Sequence, residues 1–320
     1  MPAIITHDAF GQDVYHELHA SIGETRDEYE AFLLGNQGPD PLFYTVINPS
    51  LREFNQLGST MHSVKPTELI AAFKDSLSVL SEDEYPVGRA YALGFLCHYT
   101  LDSSMHPLVF AQQYAICDAG IDGLSREDGH EVHGTIESEF DEMVLFTVRH
   151  QTIASFNPSV EILKASDFAL ETISKMYAYA AMTVYGLFIP SDMFATAVRS
   201  FRFVQGLFYS PTGSKRTVIS RIEELVRPYS FYRSMSHRPL EITESQFDNH
   251  ERATWENPFT GETSDLGFWE IFENAREKAK GNIAAFAAKG FNAEGSRAIT
   301  NDLDFSGEPT TATLVIVDDE

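Results

Sequence analysis

"PVGRAYALGFLCHYTLDSSMHP", residues 86–107, is apolar or small nearly all the way round a helical projection. A helix of that composition belongs in the middle of a bundle, because a surface helix keeps one polar stripe for solvent. Within it His98, Asp102 and His106 recur at intervals of four. Four residues advance a helix by about forty degrees past one turn, so the three groups lie along one slowly drifting stripe and can reach one place. Asp102 stands among Phe95, Leu96, Leu101 and Val109. Burying a carboxylate there is costly unless a cation or hydrogen-bond donors compensate it. The stretch therefore predicts a helical fold with a charged site inside it.

Outward from this segment, helical periodicity continues to dominate. "DAFGQDVYHELH" (8–19) places Phe10, Val14, Tyr15 and Leu18 at helical spacing, and "ETRDEYEAFLLG" (24–35) ends on the helix-stopping Gly35. "KPTELIAAFKDSLSVL" (65–80) offers Thr67 as an N-cap ahead of Leu69, Ile70, Phe73, Leu77 and Leu80. "HEVHGTIESEFDEMVLFTVRH" (130–150) is a further helix, and others are expected over 159–188, 191–208, 214–227 and 265–288. Gly and Pro punctuate a loop at 32–44 and a long irregular region at 228–264. No internal repeat or low-complexity tract interrupts the chain. The expectation is all-α: one multi-helix domain over 1–290, followed by an acidic, loosely ordered tail over 291–320.

The chain has 320 residues, 43% of them hydrophobic, enough for one substantial core. Forty-seven acidic residues against twenty-three basic ones leave a formal charge of −24. Duplex nucleic acid would be repelled over most of such a surface. An anionic substrate needs a local positive centre, and with no basic patch in the sequence a cluster of metal ions is the natural source. The N-terminal "MPAIITHDAF" lacks the features of a secretory signal, so a cytoplasmic protein is expected. Stable membrane insertion is not expected either. The richest apolar run, "YAYAAMTVYGLFIP" (177–190), falls short of a span, and "TLVIV" (313–317) is shorter still. Cys97 and Cys117 lie in apolar helical context and read as reduced, buried thiols.

The histidines carry the functional signal. His7, Asp40 in "GPDP", His62, the stripe His98/Asp102/His106, and His133/Glu137 in "HGTIE" are the residue types zinc takes when thiolates are not used. One His-x-x-x-Asp pair on a helix is more often a surface or capping pair, and a lone histidine on an apolar face is usually a hydrogen-bonded core residue. The accumulation of such pairs is what asks for a common cause. Blander readings suit the remainder: His16 and His19 as exposed, His130 as a weaker competitor of His133, and the run Glu137, Glu139, Asp141, Glu142 as mostly a solvated face. Within that run Asp141 could orient a ligand histidine. The aromatics Phe43, Tyr44 and Tyr99 near the candidate ligands serve equally as core or as a stacking surface.

"ITHDAFG" (5–11), "LLGNQGPDPLFY" (33–44), "MH" (61–62), "AYALGFLCHYTLDSSMHP" (90–107) and "HGTIESEFDEM" (133–143), in this order, resemble the zinc-dependent phospholipase C family, which shares a trinuclear-zinc fold with the P1/S1-type nucleases. "WENPFTGE" (255–262) and the helix after it are similar to that family's C-terminal part. The resemblance implies an all-α domain of the phospholipase C / P1 nuclease type holding two or three zinc ions. Asp40, His62, His98 and Asp102 would serve one ion, with Asp102 bridging to a second that takes His7. His106, His133 and Glu137 would serve a third. The chain has no tryptophan at its start, where secreted members supply a ligand, so the amine of Pro2 or the carboxylate of Asp8 is the candidate substitute.

The implied activity is hydrolysis of phosphoric diesters by a metal-activated water, with Asp40 as the general base. The expected substrate is a small or monomeric phosphodiester, with phospholipid headgroup diesters ahead of single-stranded nucleic acid. Two other readings remain: a P1/S1-type nuclease, and a helical protein that binds metal without catalysis.

Overall fold

The computed structural model describes residues 3–120, 124–215, 217 and 236–310. Among them the chain is mostly helical. The longest helix, α5 (Tyr85–Cys117), is the stretch whose sequence is apolar all round, and its residues from Val87 to Val109 are nearly all buried. The other helices are α1 (Ile4–Ile22), α2 (Arg26–Gly35), α3 (Leu57–Ser63), α4 (Pro66–Ser76), α6 (Gly129–Arg149), α7 (Pro158–Glu161), α8 (Asp167–Tyr185), α9 (Met193–Phe208), α10 (Phe268–Ala287) and α11 (Ala293–Thr300). Helices α2 and α10 make the broadest contacts with α5, and α1, α6 and α8 complete the wall around it. An antiparallel hairpin of two short strands, β1 (Trp255–Glu256) and β2 (Thr263–Ser264), is the one sheet among the described residues. None of the described helices is long and apolar enough to cross a membrane.

Local chemistry sets the helix ends. Thr25 and Glu28 form a reciprocal capping box at the start of α2, satisfying two otherwise orphaned N–H groups. Helix α2 crosses α5 where Gly35 meets Gly94, and a side chain at either position would run into the backbone of the opposite helix. Gly35 thus ends α2 and also lets it approach the central helix. Ser166 caps α8, and Gly186 closes it in the left-handed region. Cys97 and Cys117 are both free and buried. Twenty residues of one helix hold them about 30 Å apart, far beyond disulfide reach.

Several expectations need correction. Thr67 does not cap α4, which begins with Pro66 at its first position after Lys65 in the left-handed region. The Thr67 hydroxyl instead bonds Thr300 and Asp302 near the other end of the sequence. The helix expected over 159–188 is broken into α7 and α8, because Leu163 takes a positive φ and Ser166 starts a new cap. Helix α5 runs through Pro107 to Cys117, since burial on most sides outweighs the one backbone bond a proline forfeits. Residues 291–310 are not a loose tail. They form α11 and a turn whose Phe305 is fully buried against α5. Most of the helix expected over 214–227, "TLVIV" at 313–317 and Pro2 lie outside the described residues.

Candidate metal centre

All eight sequence-derived groups converge at α5. They form three sets, each with its ligand atoms within 4.8 Å of one another: Asp40, His62 and His98; His7, His98 and Asp102; and His106, His133 and Glu137. In the first set Asp40 Oδ1 faces His62 Nε2 at 3.0 Å and His98 Nε2 at 3.7 Å. In the second, Asp102 presents one oxygen to His7 Nε2 at 3.0 Å and the other to His98 Nε2 at 3.2 Å. In the third, Glu137 Oε1 lies 3.4 Å from His106 Nε2 and 3.3 Å from His133 Nε2. His98 belongs to two sets, and the Asp102 carboxylate comes within 4.0 Å of the His106 ring, so the three sets are contiguous.

Several devices deliver the ligands. The four-residue step on α5 aims His98, Asp102 and His106 to one side. The loop between α2 and Asp40 is pinned from several directions. The Gly38 carbonyl accepts from the hydroxyls of Tyr91 and Tyr177 at 3.2 and 2.9 Å, and Gln37 Nε2 donates to the Ile4 carbonyl at 3.0 Å. Gly38 itself has φ +50°, and a Cβ there would sit 2.1 Å from the His98 ring. Only glycine lets this loop pass the imidazole. Asp40 then opens a 3-10 turn, Asp40–Ile47, and α3 brings His62 to it.

The second nitrogen of four histidines is committed to a carbonyl oxygen. His62 Nδ1 donates to Gly58 O at 2.7 Å, His98 Nδ1 to Asn36 O at 3.1 Å, His106 Nδ1 to Phe305 O at 2.9 Å, and His133 Nδ1 to Gln113 Oε1 at 2.9 Å. A carbonyl only accepts, so Nδ1 carries the proton and the Nε2 lone pair of a neutral ring points at carboxylate oxygens. Lone pair facing lone pair in a buried site is unfavourable unless a cation lies between, either a proton or a metal ion. His98 Nε2 is fully buried and has no hydrogen-bond partner. The donor set and the orphaned nitrogen both fit metal ions, and the Nδ1-to-carbonyl contacts are the outer contacts that fix ligand histidines.

Without a metal, protons must do this work. Burial works to lower the His106 pKa, but Asp102 and Glu137 outweigh it and lift it to about 9. Burial prevails at His133, which is lowered although it faces the same Glu137. Burial would raise Asp102, yet His98, His106 and His7 hold it well below the usual carboxylate range.

The centre is not sealed throughout. His62, His106 and His133 are partly exposed, while His98 is sealed. Half-buried aromatic rings lie beside these members: Phe43 lies 5.0 Å from His62, and Phe110 lies 5.0 Å from His133 and 5.2 Å from Phe259 of the hairpin. Tyr44 and Tyr99 are core residues, the first stacked on Phe201 and the second donating to the carbonyls of Thr300 and Leu303.

Other assignments change. Asp8 does not join the cluster, because Arg149 and Gln12 engage its carboxylate. The acidic run of α6 is no solvated face: Glu137, Glu139, Asp141 and Glu142 are all buried. Arg238 pairs with Glu139 and Glu142, and Ser245 donates to Glu139. Asp141 orients no ligand ring. It accepts from Ile5 N, Thr6 N and Thr6 Oγ1 at the start of α1 and from His237 Nε2, and so holds the helix that carries His7. His16 and His19 are exposed, as expected, and His130, the weaker competitor of His133, is exposed as well and belongs to none of the three sets. Sequence reasoning missed Asn36, Gly58, Gln113 and Phe305, whose oxygens aim the imidazoles.

Comparison with protein-family models, with curated proteins and with solved structures finds no match to this chain.

Proposed function

We propose that this protein is a zinc-dependent hydrolase of phosphoric diesters. The observation that carries the reading is the convergence of eight His, Asp and Glu groups into three contiguous sets, of which His62, His106 and His133 stay partly exposed. The set His106, His133 and Glu137 offers three protein ligands, which would leave a coordination position for water or substrate, whereas structural zinc is closed by four. The one free lone pair of His98 can serve only one of its two sets. This favours catalysis over a purely structural site.

Asp40, His62 and His98, with Asp102 and His7 beside them, would hold two ions, and His106, His133 and Glu137 a third. Zinc in such a site polarises a phosphoryl oxygen and lowers the pKa of water. The chain's own contribution is to position and to move a proton. Asp40 turns Oδ1 toward both imidazoles, and its second oxygen is the acceptor for the proton of an attacking water. No side-chain nucleophile is required. Phe43 beside His62, and Phe110 with Phe259 beside His133, would limit the approach of bulk water to a diester held there.

Two measurements test the reading. Elemental analysis of protein purified without chelator should give two or three zinc ions per chain. A chromogenic phosphodiester should be hydrolysed, with turnover lost to chelator and restored by zinc. His98→Ala and Asp102→Ala should each lose the metal held by the sets they belong to, and with it turnover, while the helical circular dichroism persists. Wild-type protein that takes up no zinc on reconstitution, or zinc-loaded protein inert on every diester tried, would refute the proposal.

A further inference from the structure

Phe305 touches three of the eight groups although it lies some two hundred residues from them in sequence. Its carbonyl accepts His106 Nδ1–H at 2.9 Å, and its N–H donates to the His62 carbonyl at 3.1 Å. Its ring lies 4.9 Å from that of His62 and 5.7 Å from that of His98.

The turn that presents Phe305 is also shaped by bonds of its own. Asp304 Oδ1 accepts from Ser306 N at 2.8 Å and from Glu308 N at 3.0 Å, and Leu303 pairs with Pro309. Gly307 has φ +75°, and a Cβ there would fall 2.7 Å from the carbonyl oxygen of Ser103. Position 107 would normally donate its N–H to that carbonyl, but Pro107 has none to give. The turn therefore docks where the hydrogen-bond ladder of α5 is interrupted, one residue past His106.

We propose that the turn 303–309 is a positioning element of the metal centre, acting through Phe305 to hold His106 with Nε2 aimed at the third ligand set. The inference rests on reading the cluster as a metal centre. Burial of the Phe305 ring alone would ask nothing of its carbonyl. The bond to His106 fixes the tautomer and direction of one ligand, and the contacts with His62 and His98 seat the same turn against the neighbouring sets. Completion of the third set is thereby coupled to docking of the chain beyond α11.

The test uses the full-length chain and reads metal rather than activity. Asp304→Ala removes the acceptor that shapes the turn, while Asp304→Asn keeps an Oδ1 acceptor in place. Zinc affinity is measured against a competing chelator, with the cobalt absorption spectrum as a second signature and thermal unfolding of the metal-stripped protein as the structural control. In Asp304→Ala one ion should bind 10- to 100-fold more weakly, the usual size of such outer effects. The other ions should be retained, and Asp304→Asn should behave as wild type. In a His133→Ala background, where the third set is already broken, Asp304→Ala should cause no further loss of metal. If Asp304→Ala does not fold, Gly307→Ala, which crowds the Ser103 carbonyl, is measured in its place. Wild-type zinc affinity in the variant overturns the proposal. So does equal weakening of all ions in step with a lower melting temperature of the stripped protein. Wild-type protein that binds no zinc removes the metal reading itself, and this inference with it.

Discussion

His106 is a candidate ligand at which a metal ion would compete directly with a proton. Its pKa is lifted to about 9 because Asp102 and Glu137 together outweigh the cost of burying its charge. Below that value a metal ion entering the third set must displace a proton, and above it the ring is already free. Apparent zinc affinity at this set should therefore fall about tenfold for each pH unit below 9 while one proton is released. Competition titrations at pH 7, 8 and 9 read this slope, and affinity independent of pH would contradict it. Asp8 shows the opposite balance. Burial raises it to about 6 against the lowering effect of Arg149. Its folded pKa lies above the unfolded value, so its ionised form costs stability, fully above pH 6 and less as pH falls toward 3.8. The shift corresponds to roughly 3 kcal/mol at most. Asp8→Asn removes the cost of burying the charge but leaves Arg149 without its charged partner, so the variant should gain only about 1–2 kcal/mol at pH 7.5 and nothing below about pH 4. Urea unfolding at the two pH values checks this. A variant less stable than wild type at pH 7.5 would show that the ion pair outweighs burial.

At the scale of elements, α1 depends on α6 for its start. No side chain caps α1 locally, and Asp141, fully buried, takes two of its first N–H groups and the Thr6 hydroxyl. A carboxylate at a helix N-terminus also meets the positive end of the helix dipole. Asp141→Ala would leave these donors and His237 without an acceptor, and should cost about 3 kcal/mol or more in the metal-free protein, read by urea denaturation. A cost under 1 kcal/mol would mean that water replaces the carboxylate. The same contact marks how far the sequence was legible. Five of the candidate ligands, His98, Asp102, His106, His133 and Glu137, could be found because a histidine and a carboxylate at i and i+4 on a helix can reach one place and are costly to bury unless a cation or a proton lies between them. His7, Asp40 and His62 have no such spacing. Helix α5 was legible because its composition leaves no polar face. The burial of Glu139, Asp141 and Glu142 was not, because what covers them is the aperiodic segment around His237, Arg238 and Ser245, about a hundred residues away. The orienting contacts of His62, His98 and His106 were hidden for a simpler reason. They end on backbone carbonyls of Gly58, Asn36 and Phe305, and every residue carries one.

Over the whole molecule, charge argues about the substrate. The formal charge of −24 surrounds a centre whose three carboxylates, Asp40, Asp102 and Glu137, would be offset locally by the proposed zinc ions. A small diester meets mainly that local positive field, because charges beyond a Debye length of about 10 Å are screened. A polynucleotide must lay many phosphates along the acidic surface as well. Stacking could repay part of this at roughly 1–3 kcal/mol per base. Tyr44 and Tyr99 are committed to the core, whereas Phe43, Phe110 and Phe259 are half-buried rings near the partly exposed His62 and His133. A phospholipid headgroup diester presented as a monomer is therefore expected to be the better substrate, and the two classes should differ in the sign of their salt dependence. Proteins that bind nucleic acid through basic surfaces lose affinity as salt rises. Here salt screens repulsion, so any cleavage of denatured DNA should strengthen between about 50 and 200 mM salt, while hydrolysis of a soluble short-chain phosphatidylcholine should change little. Rates on both substrates with the zinc-loaded protein across that range decide the matter. Rapid DNA cleavage that weakens with salt, with no headgroup release, would place a nucleic-acid surface on this acidic protein and reverse the ranking.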